Sequence, residues 1–85
     1  MAREGEWRGL LEGASIERRR IPSGIALRLH ADSKGLAELT RLIELERQCC
    51  SWINWKVTEG DSVLVEATSS EEEGARLLAV WFDAA

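Results

Sequence analysis

Apolar and polar positions change period several times along this chain. Ile25 to Ala31 (IALRLHA) alternates, with Ile25, Leu27 and Leu29 on one side and Arg28 and His30 on the other. A period of two predicts a half-buried strand. Ser15 to Ile21 (SIERRRI) reads as a strand with an arginine-rich polar face, and Pro22-Ser23-Gly24 joins the two into a hairpin. The period then lengthens. Leu36, Leu39, Leu42 and Ile43 recur every three or four residues, which predicts a helix capped by Asp32 or Ser33 and running to about Cys49. Alternation returns from Ser51 to Thr58 (SWINWKVT), with Ile53, Trp55 and Val57 inward. After a turn at Glu59-Gly60-Asp61, Ser62 to Thr68 (SVLVEAT) points Val63, Val65 and Ala67 inward. Two overlapping capping boxes, Ser69 with Glu72 and Ser70 with Glu73, announce a last helix with Ala75, Leu78, Ala79 and Phe82 on its inner stripe. In residues 1–13, Trp7, Leu10 and Leu11 fit a short N-terminal amphipathic helix.

The order ββαββα predicts an α+β two-layer sandwich: a four-stranded antiparallel sheet with two helices on one face. The two halves align at an offset of 36 residues, pairing Gly24 with Gly60, Leu27 with Val63, Leu42 with Leu78 and Glu46 with Phe82. Residues 15–50 and 51–85 are therefore a candidate internal repeat within a single domain, 1–85. Two units of one architecture would also share such a pattern without common descent.

Composition narrows the partners. With 85 residues the chain has room for one small core, and association into a homodimer would add to it. Its apolar runs are far shorter than the ~20 residues of a membrane span. No secretory leader is visible at the N-terminus, so the expected compartment is the cytoplasm. A net charge of −4 argues against a generic nucleic-acid backbone binder. The two cysteines are adjacent, Cys49-Cys50. Neighbouring Cα atoms lie ~3.8 Å apart, whereas relaxed disulfides want ~4.4–6.8 Å, so two free thiols are expected.

One acidic residue breaks the pattern. On a helical wheel Glu46 falls between Leu39 and Leu42, and at the 36-residue offset it aligns with apolar Phe82. Both readings put a carboxyl where packing wants hydrocarbon. Burial penalises an ionised carboxyl unless a partner compensates. Cys50 lies one turn further on the same face, and Cys49 sits at the edge of the stripe. Glu46, Cys49 and Cys50 therefore form a candidate site for a thiophilic metal ion, because soft ions prefer thiolates. Zinc by its usual tetrahedral spacing is not indicated, since no CxxC or HxxxH exists. The alternative is structural: cysteine packs as a small hydrophobe, and Glu46 fastens the helix end of an interaction or dimerisation module. A third reading is a thiol-redox or nucleophilic enzyme using Cys49 with Glu46 or His30. Trp52 falls on the outward phase, as an interface residue or packed on the N-terminal segment or Trp81. The outer sheet face is expected to carry Arg18 or Arg19, Arg28, His30, Asn54, Lys56, Leu64 and Glu66.

The stretch Glu46-Arg47-Gln48-Cys49-Cys50-Ser51-Trp52, with the strands and the Trp81-Phe82 helix end that follow, resembles small bacterial Glu-x-x-Cys-Cys domains. Trp7-Arg8-x-x-Leu11 and Arg19-Arg20-Ile21-Pro22-Ser23-Gly24 are also similar. Such domains occur alone or appended to regulators of the mercury-resistance type. The resemblance implies a thiol-containing accessory domain for heavy metals, with Cys49 and Cys50 as ligands and Glu46 as third member or support. The chain carries no helix-turn-helix, so direct transcriptional control is not expected of it.

Overall fold

The computed structural model describes residues 4–82; residues 1–3, part of the predicted N-terminal segment, lie outside them. Helix α1 spans Glu4–Ala14, followed by strands β1 (Ser15–Ile21) and β2 (Gly24–Leu29) and helix α2 (Ser33–Cys49). Strands β3 (Asn54–Glu59) and β4 (Val63–Thr68) and helix α3 (Glu72–Trp81) complete the chain. The strands form one antiparallel sheet in the order β1-β2-β4-β3. This is the α+β sandwich read from the sequence, with the N-terminal helix added to it. No described helix is long and apolar enough to cross a membrane.

Register explains the core. Ile25, Leu27 and Leu29 of β2 stand opposite Ala67, Val65 and Val63 of β4, and all six are buried. Onto this face pack Leu39, Leu42 and Ile43 of α2 and Leu78, Ala79 and Phe82 from α3 and its end. The other face carries charges in cross-strand rows, Arg19–Ala26–Glu66–Lys56 and Glu17–Arg28–Leu64–Thr58. Gly24 starts β2 where a Cβ would strike the Ala67 carbonyl and the Thr68 backbone, so only glycine lets the central strands approach.

Three expectations need correction, and the open choice between Arg18 and Arg19 is decided. Val57 faces the helix side in register with Val65, yet it is 39% exposed. It lies on an edge strand, while α3 packs over β2 and β4. Strand β2 ends at Leu29, leaving His30 exposed beyond the sheet. Arg18 stands opposite buried Leu27 and so belongs to the helix-covered side; Arg19 is the outward one. Neither capping box forms at α3: its cap is Glu71, without a side-chain bond. Instead, buried Ser69 accepts from the Glu71 N–H at 3.1 Å, a hydroxyl turn that precedes the helix. Ser69 also donates its own N–H to the Ser23 carbonyl, tying this corner to the β1–β2 turn. At α2, Asp32 is the cap, accepting from the Gly35 N–H at 2.8 Å.

Helix α1 has three glycines in eleven residues, a composition with poor intrinsic helicity. Tertiary burial compensates: Trp7 and Leu11 are 2% and 3% exposed. Arg41 of α2 adds an exposed ion pair to Glu6 at 2.7 Å.

Candidate functional site

Glu46 occupies the last full turn of α2 and is completely buried. Its Oε2 accepts a hydrogen bond from the indole Nε1 of Trp7 at 3.0 Å. A carboxyl among Leu39, Leu42 and Ile43 thus gains a strong donor from a helix 39 positions away in sequence. Its backbone carbonyl has a second task, accepting from the Cys50 N–H at 2.6 Å to close the helix end. One residue therefore both docks α1 and closes the helix end at Cys50.

An aromatic cluster surrounds that bond. Trp7 stacks on Trp55 with centroids 5.5 Å apart and planes within 3°. Phe82 meets both edge-on, at 5.2 Å from Trp7 and 6.2 Å from Trp55. These are favourable quadrupole geometries. Trp55 Nε1 is buried here without a hydrogen-bond partner among the described residues. The sequence placed Trp55 in the core but held no signal that Trp7 would reach Glu46, because contact between separate helices leaves no periodic trace.

The two sulfurs differ in setting. Cys49 ends α2 and is exposed, Cys50 is half-buried, and both are free thiols. Burial pushes the Cys50 thiol above its ordinary range; the neighbouring Cys49 thiol and then the Glu46 carboxyl push the same way. The negative end of the α2 dipole acts in this direction too. Arg47, the residue after Glu46, pairs with Glu44 at 2.6 Å.

Among the described residues no three His, Cys, Asp or Glu side chains lie together so as to hold a metal ion. Glu46 is directed to Trp7, so a ready-made Glu46–Cys49–Cys50 cluster is not what the helix end presents. The cysteine–histidine couple is separated as well. His30 precedes the start of the 17-residue α2 and Cys49 ends it, a distance of ~25 Å along the axis.

Trp52 follows the pair and is 38% exposed, leaning on Trp81 at 5.7 Å with planes at 52°. Of the sequence readings of Trp52, packing on Trp81 is the one observed, and the rest of its surface meets solvent. Gly74 of α3 makes this contact possible. A Cβ there would overlap the Ser69 side chain and press on Trp52. That glycine carried no signal in the sequence beyond being a poor residue for a helix interior. No family model, curated protein or solved structure matches the chain, so the fold and this site are read from its own residues.

Proposed function

We propose that the chain is a small thiol domain that captures one thiophilic metal or metalloid ion through Cys49 and Cys50. The observation that carries the reading is the pair itself: two free sulfurs side by side at one corner, one exposed and one half-buried. Two thiolates suit soft ions that accept few ligands, such as Hg²⁺ or Cu⁺, better than an ion that demands four. Glu46 acts here as a positioning residue: its bond to Trp7 fixes the turn from which the sulfurs project. Free adjacent thiols are kept in a reducing compartment, which fits the cytoplasm.

Titration with Hg²⁺, followed by native mass spectrometry, tests the reading. One ion per chain is expected, lost in Cys49→Ser/Cys50→Ser with the circular dichroism unchanged. Zn²⁺ is expected to bind at least tenfold more weakly. Retention of the ion by the double variant, or reactivity no greater than that of isolated cysteines, overturns it.

A second reading has its own observation. Trp52, Leu77 and Val80 are exposed large apolar residues, with 38%, 41% and 74% of their surface open. Scattered apolar exposure is ordinary, but three such residues suit a homodimerisation module. Sedimentation at increasing concentration separates the two: a concentration-dependent dimer lost in Val80→Glu supports the second reading, and a monomer at all concentrations removes it.

A further inference from the structure

The turn that follows α2 sets an exposed indole beside the cysteine pair. The Ile53 N–H donates to the Cys50 carbonyl at 3.1 Å, closing a tight turn through Ser51 and Trp52. That turn keeps Trp52 at the corner where the two thiols stand. The indole is also held in place. It leans on Trp81 at 5.7 Å, and a Cβ at Gly74 of α3 would come within 3.0 Å of its ring. Glycine at that position leaves room for a seated indole, and Trp52 is still 38% exposed.

The sulfurs supply the chemistry. Cys49 is exposed, Cys50 is half-buried against the core, and both are free thiols. The Cys49 sulfur acts on the Cys50 thiol as a hydrogen-bond partner and as a like charge, so the two are neighbours in space as well as in sequence. Among the described residues no third His, Cys, Asp or Glu side chain joins them as a ligand. Two soft donors without a third impose a valence condition. Arsenic(III) makes three bonds, so the pair leaves inorganic arsenite one donor short. An arsenic that already carries one carbon substituent needs only the two thiolates. Its substituent then needs apolar surface next to the sulfurs, and a fixed, exposed indole provides it.

We propose that Cys49 and Cys50 take a monosubstituted organic arsenic(III) compound, R–As(OH)₂, with R an aromatic ring or similar apolar group laid on Trp52. The proposal rests on the thiol reading above and narrows its cargo. Each S–H gives its proton to an arsenic-bound hydroxide; two As–S bonds replace two As–O bonds and two waters leave. Arsenic stays trivalent, so no oxidant or reductant enters.

The probes are phenylarsine oxide, methylarsonous acid and arsenite, each titrated into the full reduced chain against dimercaprol as a competing dithiol. The competitor cancels the intrinsic As–S strength of each compound. Native mass spectrometry is expected to show one phenylarsenic per chain, held at least tenfold more tightly than methylarsenic or arsenite. Phenylarsine oxide is also expected to shift the Trp52 indole N–H signal in ¹⁵N-correlated spectra further than methylarsonous acid does. Trp52→Ala is expected to cut the phenyl preference to threefold or less, with Hg²⁺ capture and the circular dichroism unchanged. Trp52→Phe is expected to keep most of the preference. The Trp52 signal is read in the parent chain, so the outcome does not hang on a variant that folds. Equal retention of phenyl and methyl, a preference untouched in Trp52→Ala, or a Trp52 shift no larger with phenyl overturns the proposal. Hg²⁺ capture by the pair would then leave the thiol reading standing. Failure of Cys49 and Cys50 to hold Hg²⁺ or any arsenical removes both.

Discussion

Trp7 and Trp55 are the same side chain, stacked nearly parallel in one cluster, and their indole N–H groups meet opposite fates. Trp7 donates to the buried carboxyl of Glu46 at 3.0 Å, whereas Trp55 Nε1 is buried with no partner among the described residues. Both rings add aromatic surface to one stack, Trp7 buried and Trp55 half-buried. Their polar atoms differ in a sharper way, because a hydrogen bond adds little when made in place of water but costs ~1–3 kcal/mol when a buried group goes without one. The pair therefore separates aromatic packing from hydrogen bonding within a single stack.

The largest effect is expected at the acceptor. Glu46→Leu fits the surrounding hydrocarbon but strands the Trp7 N–H, at a cost of about 3 kcal/mol by urea denaturation. Adding Trp7→Phe to it removes the stranded donor, so the double variant is expected to cost less than the two singles summed by about 1–2 kcal/mol. Strict additivity would mean that the bond contributes nothing and that Glu46 is held for another reason. Trp7→Phe alone is expected to cost about 2 kcal/mol, part of it lost ring surface and part the carboxyl's lost donor.

Trp55→Phe is the mirror experiment. It deletes a donor with no partner among the described residues from a half-buried ring, so stability is expected to stay level or rise by up to about 1 kcal/mol. A loss larger than that, in the same denaturation assay, would place a partner on Trp55 Nε1 and dissolve the contrast with Trp7.

How much of this was legible beforehand follows from the range of each interaction. Alternation in β2 and β4 placed Ile25, Leu27, Leu29, Val63, Val65 and Ala67 correctly, because a sheet face imposes period two on consecutive residues. The helical stripe exposed Glu46 as an acid in an apolar position for the same reason. Its partner was not legible, since Trp7 reaches it only after two helices have docked. Val57 shows the opposite failure: its phase was right, but its exposure depends on how far the helices extend over an edge strand. The α3 start misled because Ser69 and Ser70 satisfy the capping pattern locally. The buried corner at Gly74, Ser69 and Trp52 uses the Ser69 hydroxyl one step earlier instead. The vicinal thiols were legible as a chemical feature, and their unequal exposure followed from the wheel.

The smallest predicted effect extends the contrast of paired, unequal environments to the sulfurs. Cys50 has its thiol pushed above the ordinary range, first by burial and then by Cys49 and Glu46. In the unfolded chain it titrates near its usual ~8.5. The folded state thus holds its proton to higher pH than the unfolded state does. Stability from this source is complete below the unfolded value and falls as pH rises through the folded one. Cys50→Ser removes the titration, so its stability is expected to decline less than that of the parent between about pH 8 and pH 10. Iodoacetamide labelling at pH 8, read by peptide mass spectrometry, is expected to modify Cys49 before Cys50. Labelling in the reverse order, together with parallel pH curves for Cys50→Ser and parent, would mean that the half-buried sulfur feels no more of the protein than the exposed one.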